Sequence, residues 1–231
     1  LFRSRTKVEG QDDQPGGLVR VTSTDSIAVD LLLPAIGRLQ QRWPQIRVDL
    51  QVSTQLLSLT RRQADIAFRN VRPDTPDLVV RRVASWPVGL FASAAYLERF
   101  GVPQPEDELR GHHLVAYAPY LENVPHLTLA GVPARQGRIA AALPSSLLVR
   151  KAVAAGIGMG EMPLWMGERE GLIRLWPDRR RPHDYDVWLV MHPDLQRTAR
   201  VRETAEFLSE AVGGEALRDD PGLARAKRDG A

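Results

Sequence analysis

The chain of 231 residues contains no cysteine, which excludes a disulfide framework and thiolate-bound metal. That absence suits a reducing or an oxidising compartment equally. Lysine is scarce: Lys7, Lys151 and Lys227 are the only ones, and arginine supplies nearly all the positive charge. The 31 basic and 28 acidic residues leave a net charge of +3, too small and too dispersed to mark a nucleic-acid surface. No apolar run is long enough to span a membrane; the longest, near Leu31, is broken by Pro34 and Arg38. The chain also lacks a Gly-x-Ser-x-Gly elbow, a His-Glu-x-x-His pair and a P-loop, which argues against an enzyme. His112, His113, His126, His183 and His192 are scattered among turns with no metal-ligand spacing.

What is present is an alternation of strands and helices. Gly17–Thr22 reads as a short strand, Ser23-Thr24 as a polar junction, and Ser26–Arg42 as an amphipathic helix with Leu32, Ile36, Leu39 and Trp43 on its core stripe. Pro44 stops that helix, and Ile46–Val52 alternates as a strand should. Ser53-Thr54 is a second polar junction, followed by a helix over Gln55–Gln63 and a buried strand at Ile66-Ala67-Phe68. Further strands are expected at Leu78–Ala84, Val88–Ala92, Leu114–Tyr117, Leu127–Leu129, Arg138–Ala141, Leu172–Trp176 and Val187–Met191. Helices are expected at Ala94–Phe100 (capped by Ser93), Leu147–Ala155 (stopped by Gly156) and Ala199–Val212. The alternation predicts an α/β fold with parallel strands, which bind ligands at their carboxyl ends.

Candidate binding residues follow from that rule. Ser23-Thr24, Ser53-Thr54 and Ser145-Ser146 each lie between a strand and a helix, where unpaired N–H groups and the helix dipole suit an anion. Each pair serves equally as an ordinary helix cap. Arg69 ends the strand 66–68 and could pair with an acidic ligand, and Tyr117 ends another strand. Gly156-Ile157-Gly158-Met159-Gly160 follows a helix, so it is no dinucleotide fingerprint; it reads as a tight turn into a strand, with Gly158 and Met159 beside the ligand. Glu161 is expected to face solvent, with selection of a cationic ligand group as the other reading, and Arg179-Arg180-Arg181 reads as a solvated loop. Together the helix starts and Arg69 point to a small organic anion.

The ordered set Gly17-Leu-Val-Arg-Val21, Leu32-Leu-Pro-Ala-Ile36 with Leu39, Arg42-Trp-Pro-Gln-Ile-Arg-Val48, Ala64-Asp-Ile-Ala-Phe-Arg69, Leu109-Arg-Gly-His112, Val153–Met159, Met162-Pro163 and Arg200-Val-Arg202 resembles the effector-binding region of LysR-type transcriptional regulators over Gly17 to Val212. The resemblance implies two Rossmann-like lobes joined by two crossover strands, like a type 2 periplasmic binding protein. Lobe I would be residues 18–87 with 192–212, and lobe II residues 88–191. The three Ser/Thr pairs would face the cleft between them. Residues 1–17 would be the stub of a linker and 213–231 a mobile tail. The resemblance further implies a cytoplasmic regulator without cofactor or metal. It would bind a small effector, form a homodimer (or a tetramer in the full-length protein), and touch DNA only through an N-terminal winged helix-turn-helix absent from this chain. An exported solute-binding protein of a transporter is the alternative, since it shares the fold.

Surplus apolar residues suggest how a dimer forms. Leu31 and Ala35 exceed the core stripe of the first helix, Leu148, Ala152 and Ala155 exceed that of the helix 147–155, and Ile46–Val52 is a plausible bare sheet edge. The resembled family packs the corresponding helix and strand of one lobe on the other lobe of its partner, antiparallel, so Leu31→Glu is expected to give a folded monomer.

Overall fold

A computed structural model describes residues 15–53, 64–121 and 127–218, with side chains through residue 214. Thr54, the helix expected over 55–63, His126 and most of the linker stub and tail lie outside the described residues.

The first sheet has the order β2-β1-β3-β12-β4, built from β1 (Gly17–Ser23), β2 (Ile46–Val52), β3 (Ile66–Arg69), β4 (Val79–Trp86) and β12 (Tyr185–Met191). β1 pairs in parallel with β2 and with β3, as the alternation predicts. β12 is antiparallel to both β3 and β4, so one strand of the five runs backward. The reason is topological: the chain leaves this sheet along β4 and must return along a neighbouring strand in the opposite sense. β12, which the expected borders assign to lobe II, is thus hydrogen-bonded into the first sheet. β2 is the sheet edge, as expected, and ends on an exposed Val52.

After Pro87 the chain enters a second group of layers. β5 (Val88–Ala92) is flanked by β10 (Gly160–Pro163) and β11 (Ile173–Leu175), both antiparallel to it. β6 (His113–Tyr117) pairs in parallel with β9 (Arg138–Leu143), while β7 (Thr128–Leu129) and β8 (Val132–Pro133) form a small hairpin. Met159 exchanges backbone hydrogen bonds with β6 at 2.8 and 2.9 Å. This approach requires glycine next door, because a Cβ on Gly158 would lie 2.6 Å from the His113 carbonyl oxygen.

The first helix departs from its expected pattern. It runs as α1 (Asp25–Ile27), a π turn (Ala28–Leu32) and α2 (Leu33–Arg42). Pro34 has no N–H to offer the Asp30 carbonyl, and Arg169 Nη1 stands 3.5 Å from that oxygen instead. The wider π turn holds one extra residue and so rotates the faces that follow by about 100°. Leu31 and Ala35, expected as surplus, are therefore buried with Ile27, Leu32 and Leu39. The surplus falls on Val29 and Leu33, which are 43% and 53% exposed.

The remaining helices are α3 (Ala94–Phe100), α4 (Ser146–Ala154), α5 (Leu164–Arg169) and α6 (Ala199–Arg218). Ser93 caps α3 and Ser145 caps α4, accepting from Tyr96 N and Leu148 N. Gly156 ends α4 with a φ of +75°. α6 buries Val201, Ala205, Leu208 and Val212 as its spacing predicts, but it continues through Gly213 and Gly214 to Arg218, so the border expected at residue 213 falls inside a helix. α5 has no clear signal in the sequence; its Trp165 and Met166 join the core of the first sheet. Trp165 meets Trp86 edge-to-face at 5.3 Å, and Trp86 stacks on Tyr185 at 5.8 Å, so aromatic rings from both crossover strands pin the junction.

Candidate functional site

Both groups of layers contribute to one cavity, with about 880 Å³ free of protein atoms, its mouth included. The first sheet supplies Thr24 and Asp25, where β1 turns into α1, Asn70 just past β3, and Tyr185 at the start of β12. The second group supplies the end of β6 (Val115, Ala116, Tyr117), Ser146, Val149 and Arg150 of α4, and Glu161, Met162 and Pro163 of β10. Val88, Tyr120, Leu127, Leu129, Met166 and Arg181 complete the wall. The strand carboxyl ends thus converge here, as parallel topology requires.

Of the residues expected from sequence, Thr24, Tyr117 and Ser146 line this cavity. Ser23 is buried at the end of β1, and its carbonyl accepts from Ser53 N at 2.9 Å; neither side chain is in the wall. Ser145 stands one residue outside the wall, where it caps α4.

Arg69 is turned away from the cavity. It is almost wholly buried, Nη2 donates to Thr22 Oγ1 at 2.9 Å, and Nη1 donates to the Phe68 carbonyl at 3.2 Å. The neighbouring Asn70 takes the place expected of it. A strand alternates its faces, so one position separates a wall residue from a packing residue. Burial lowers the Arg69 pKa to about 10, which leaves it a cation at neutral pH.

Gly158 and Met159 also lie apart from the wall. Gly158 serves the close approach to β6, and Met159 is fully buried in the core around Leu90 and Leu114. Glu161 does the reverse of what its favoured sequence reading expects: it faces the cavity. Its Oε1 accepts from Ala130 N at 2.7 Å. Burial raises its pKa, an effect partly offset by that N–H and by Arg181. Arg181 is likewise in the wall and not merely in a solvated loop.

The helix start expected to await an anion already holds one. Ser146 Oγ stands 2.8 Å from Asp25 Oδ1 and 2.9 Å from Ser26 Oγ, and Ser145 Oγ donates to Asp25 Oδ2. One helical turn further, Arg150 Nη1 stands 2.6 Å from Asp30 Oδ2, while its Nε lies 3.3 Å from Glu170 Oε1. Lys151 Nζ joins Glu170 at 2.8 Å. A carboxylate from the first lobe therefore sits on the N-terminus of α4, where charge and orphan N–H groups favour it.

Asp25, Tyr120, Arg150, Arg181 and Tyr185 are cavity residues that sequence reasoning missed. One signal was available: Asp30 and Arg150 each interrupt an apolar run (Val29-Asp30-Leu31 and Val149-Arg150) with opposite charge. A charge on a core-facing helix position needs a buried partner. Among the described residues no three His, Asp or Glu side chains converge as a metal site, and no helix is long and apolar enough to cross a membrane.

The family model described as the LysR substrate binding domain matches residues 12–213. An HTH-type transcriptional regulator of Xanthomonas campestris is 34% identical over 103 residues, covering 44% of this chain and 30% of that protein. The HTH-type transcriptional regulator CrgA of Neisseria meningitidis is 30% identical over 117 residues, 51% of this chain and 39% of CrgA. The chain thus spans well under half the length of these relatives. The solved regulatory domain of CrgA superposes with a TM-score of 0.76 at 24% identity, covering 85% of this chain and 98% of that domain.

Proposed function

Since this chain belongs to the LysR substrate-binding domain family, we propose that its cleft cavity admits a small effector and that occupancy resets the hold between the lobes. The observation that carries this reading is that the cavity wall and the interlobe bonds share residues. Asp25, Ser146 and Arg150 line the cavity and also bind across the cleft. A ligand there must alter those bonds, and its differential affinity for the two arrangements is the energy available for signalling.

In the whole protein the readout is transcription, with DNA contacted by a helix-turn-helix of the kind the relatives' names record and with the protein acting in the cytoplasm. Those relatives are regulators, which favours this reading over a transport receptor and over an enzyme. We take the lobes to divide at Pro87, with β12 and residues 192–212 counted in the first. Self-association is part of the proposal: Val29 and Leu33 on the first helix, Leu148 (49% exposed) on α4 and the bare edge β2 form the apolar surface for a two-fold homodimer, or for the dimers of a full-length tetramer.

Ala116→Leu tests the cavity. It adds bulk in the wall and should abolish thermal stabilisation by ligands of the native chain while the circular dichroism stays native. Unchanged stabilisation would place binding elsewhere.

A further inference from the structure

One charged group in the cavity wall is short of partners among the described residues. Asp25 accepts three hydrogen bonds, from Ser26 N and the hydroxyls of Ser145 and Ser146. Arg150 is held by Asp30 and Glu170. Arg181 gives Nε to the His183 carbonyl at 2.8 Å and Nη1 to Tyr120 Oη at 3.4 Å. Glu161 has one hydrogen bond, from Ala130 N, although a carboxylate accommodates about four donors. No described lysine or arginine stands within ion-pair distance of it, Arg181 acting on it only from farther off, so its Oε2 makes no direct contact with a cation of the chain.

We infer that the effector presents an ammonium group to Glu161, carried on a small apolar or aromatic body; this rests on the reading of the cavity as the effector site. Thr24 is almost wholly buried beside Tyr185, and the two hydroxyls face each other. One further feature of the wall agrees. Tyr117 and Tyr120 meet edge-to-face at 5.3 Å and give the wall aromatic faces, which attract cations. An anion, by contrast, would meet Asp25 and Glu161 in a wall whose guanidinium groups are already engaged. The anionic effector expected from sequence depended on Arg69 and on an open α4 start, and the structure removes both.

The test measures binding of matched probes: benzylamine and butylamine against benzoate, butyrate, benzyl alcohol and butanol, by calorimetry and thermal shift. The amines should bind and the carboxylates should not. Glu161→Gln preserves the shape and the acceptor for Ala130 N, and should weaken the amines about ten-fold or more. Amine binding unchanged in that variant overturns the inference. So does a native chain that prefers the carboxylates or alcohols, a comparison that needs no variant. If those other probes bind and Ala116→Leu blocks them, the cleft reading stands and the ammonium inference alone falls. If none of the six binds, both fall.

Discussion

Arg150 Nη1 lies 2.6 Å from Asp30 Oδ2, and this nearly dry ion pair fastens α4 of the second lobe to the π turn of the first. It works together with the Ser146–Asp25 contact at 2.8 Å. Ser146 and Arg150 are four apart on α4 and share a face. Asp25 and Asp30 are five apart, a spacing that an α-helix would splay by roughly 140°. The π turn between them closes the gap, so both carboxylates point at α4. The irregular turn is thus what lets one helix grip another at two places.

Breaking this pair should be costly. Removing one member of a buried ion pair costs about 3–5 kcal/mol when the other charge is fully stranded; here Glu170 stays 3.3 Å from Arg150 Nε, so the loss should sit at or below the low end of that range. Asp30→Ala should therefore lower stability by about 2–3 kcal/mol in denaturant unfolding, whereas Asp30→Leu combined with Arg150→Met should recover much of the loss. A single-variant cost below about 1 kcal/mol would show the pair to be idle.

The first helix offers a paired test of its surfaces. Leu31 is only 6% exposed, so Leu31→Glu buries a charge and should unfold the chain, contrary to the monomer expected from sequence. Leu33→Glu should stay folded and weaken self-association in sedimentation. A native chain that is monomeric at high concentration, or a Leu33→Glu chain that associates normally, would refute the proposed surface.

Arg69 should behave as a structural residue. Arg69→Met removes the donor to Thr22 Oγ1 and the Phe68 carbonyl. Stability should fall by about 1–3 kcal/mol, with affinity for cavity ligands held within a few-fold. A large loss of affinity at unchanged stability would return Arg69 to the site.

Glu161 should leave a pH signature. Burial raises its folded-state pKa above the ordinary 4.5, so between that value and the raised one the folded chain binds more protons than the unfolded chain. Its contribution is fully present below 4.5 and is lost as pH rises through the raised pKa. Glu161→Gln should consequently gain stability relative to the native chain as pH rises through that window, then level off. A difference that is flat with pH, or of the opposite sign, would contradict the burial.

Much of the architecture was legible locally. Alternation set β2, the apolar run set β3, Pro44 and Gly156 ended helices, and Ser93 and Ser145 were recognisable caps. Placing ligands at strand ends singled out Thr24, Tyr117 and Ser146, which line the cavity. These features depend on backbone preference and periodicity over a few residues, and any stretch of the chain displays them by itself. The reversal of β12, the π turn, the inward Arg69 and the cavity-facing Glu161 depend on something else. Ser146 meets Asp25 across 121 positions, and Arg150 meets Asp30 across 120. Neither residue's neighbours encode the other's presence. Which serine finds an internal carboxylate, and which carboxylate is left for a ligand, was decided only when the two lobes closed, because burial and pairing are properties of the assembled cleft and not of any segment that lines it.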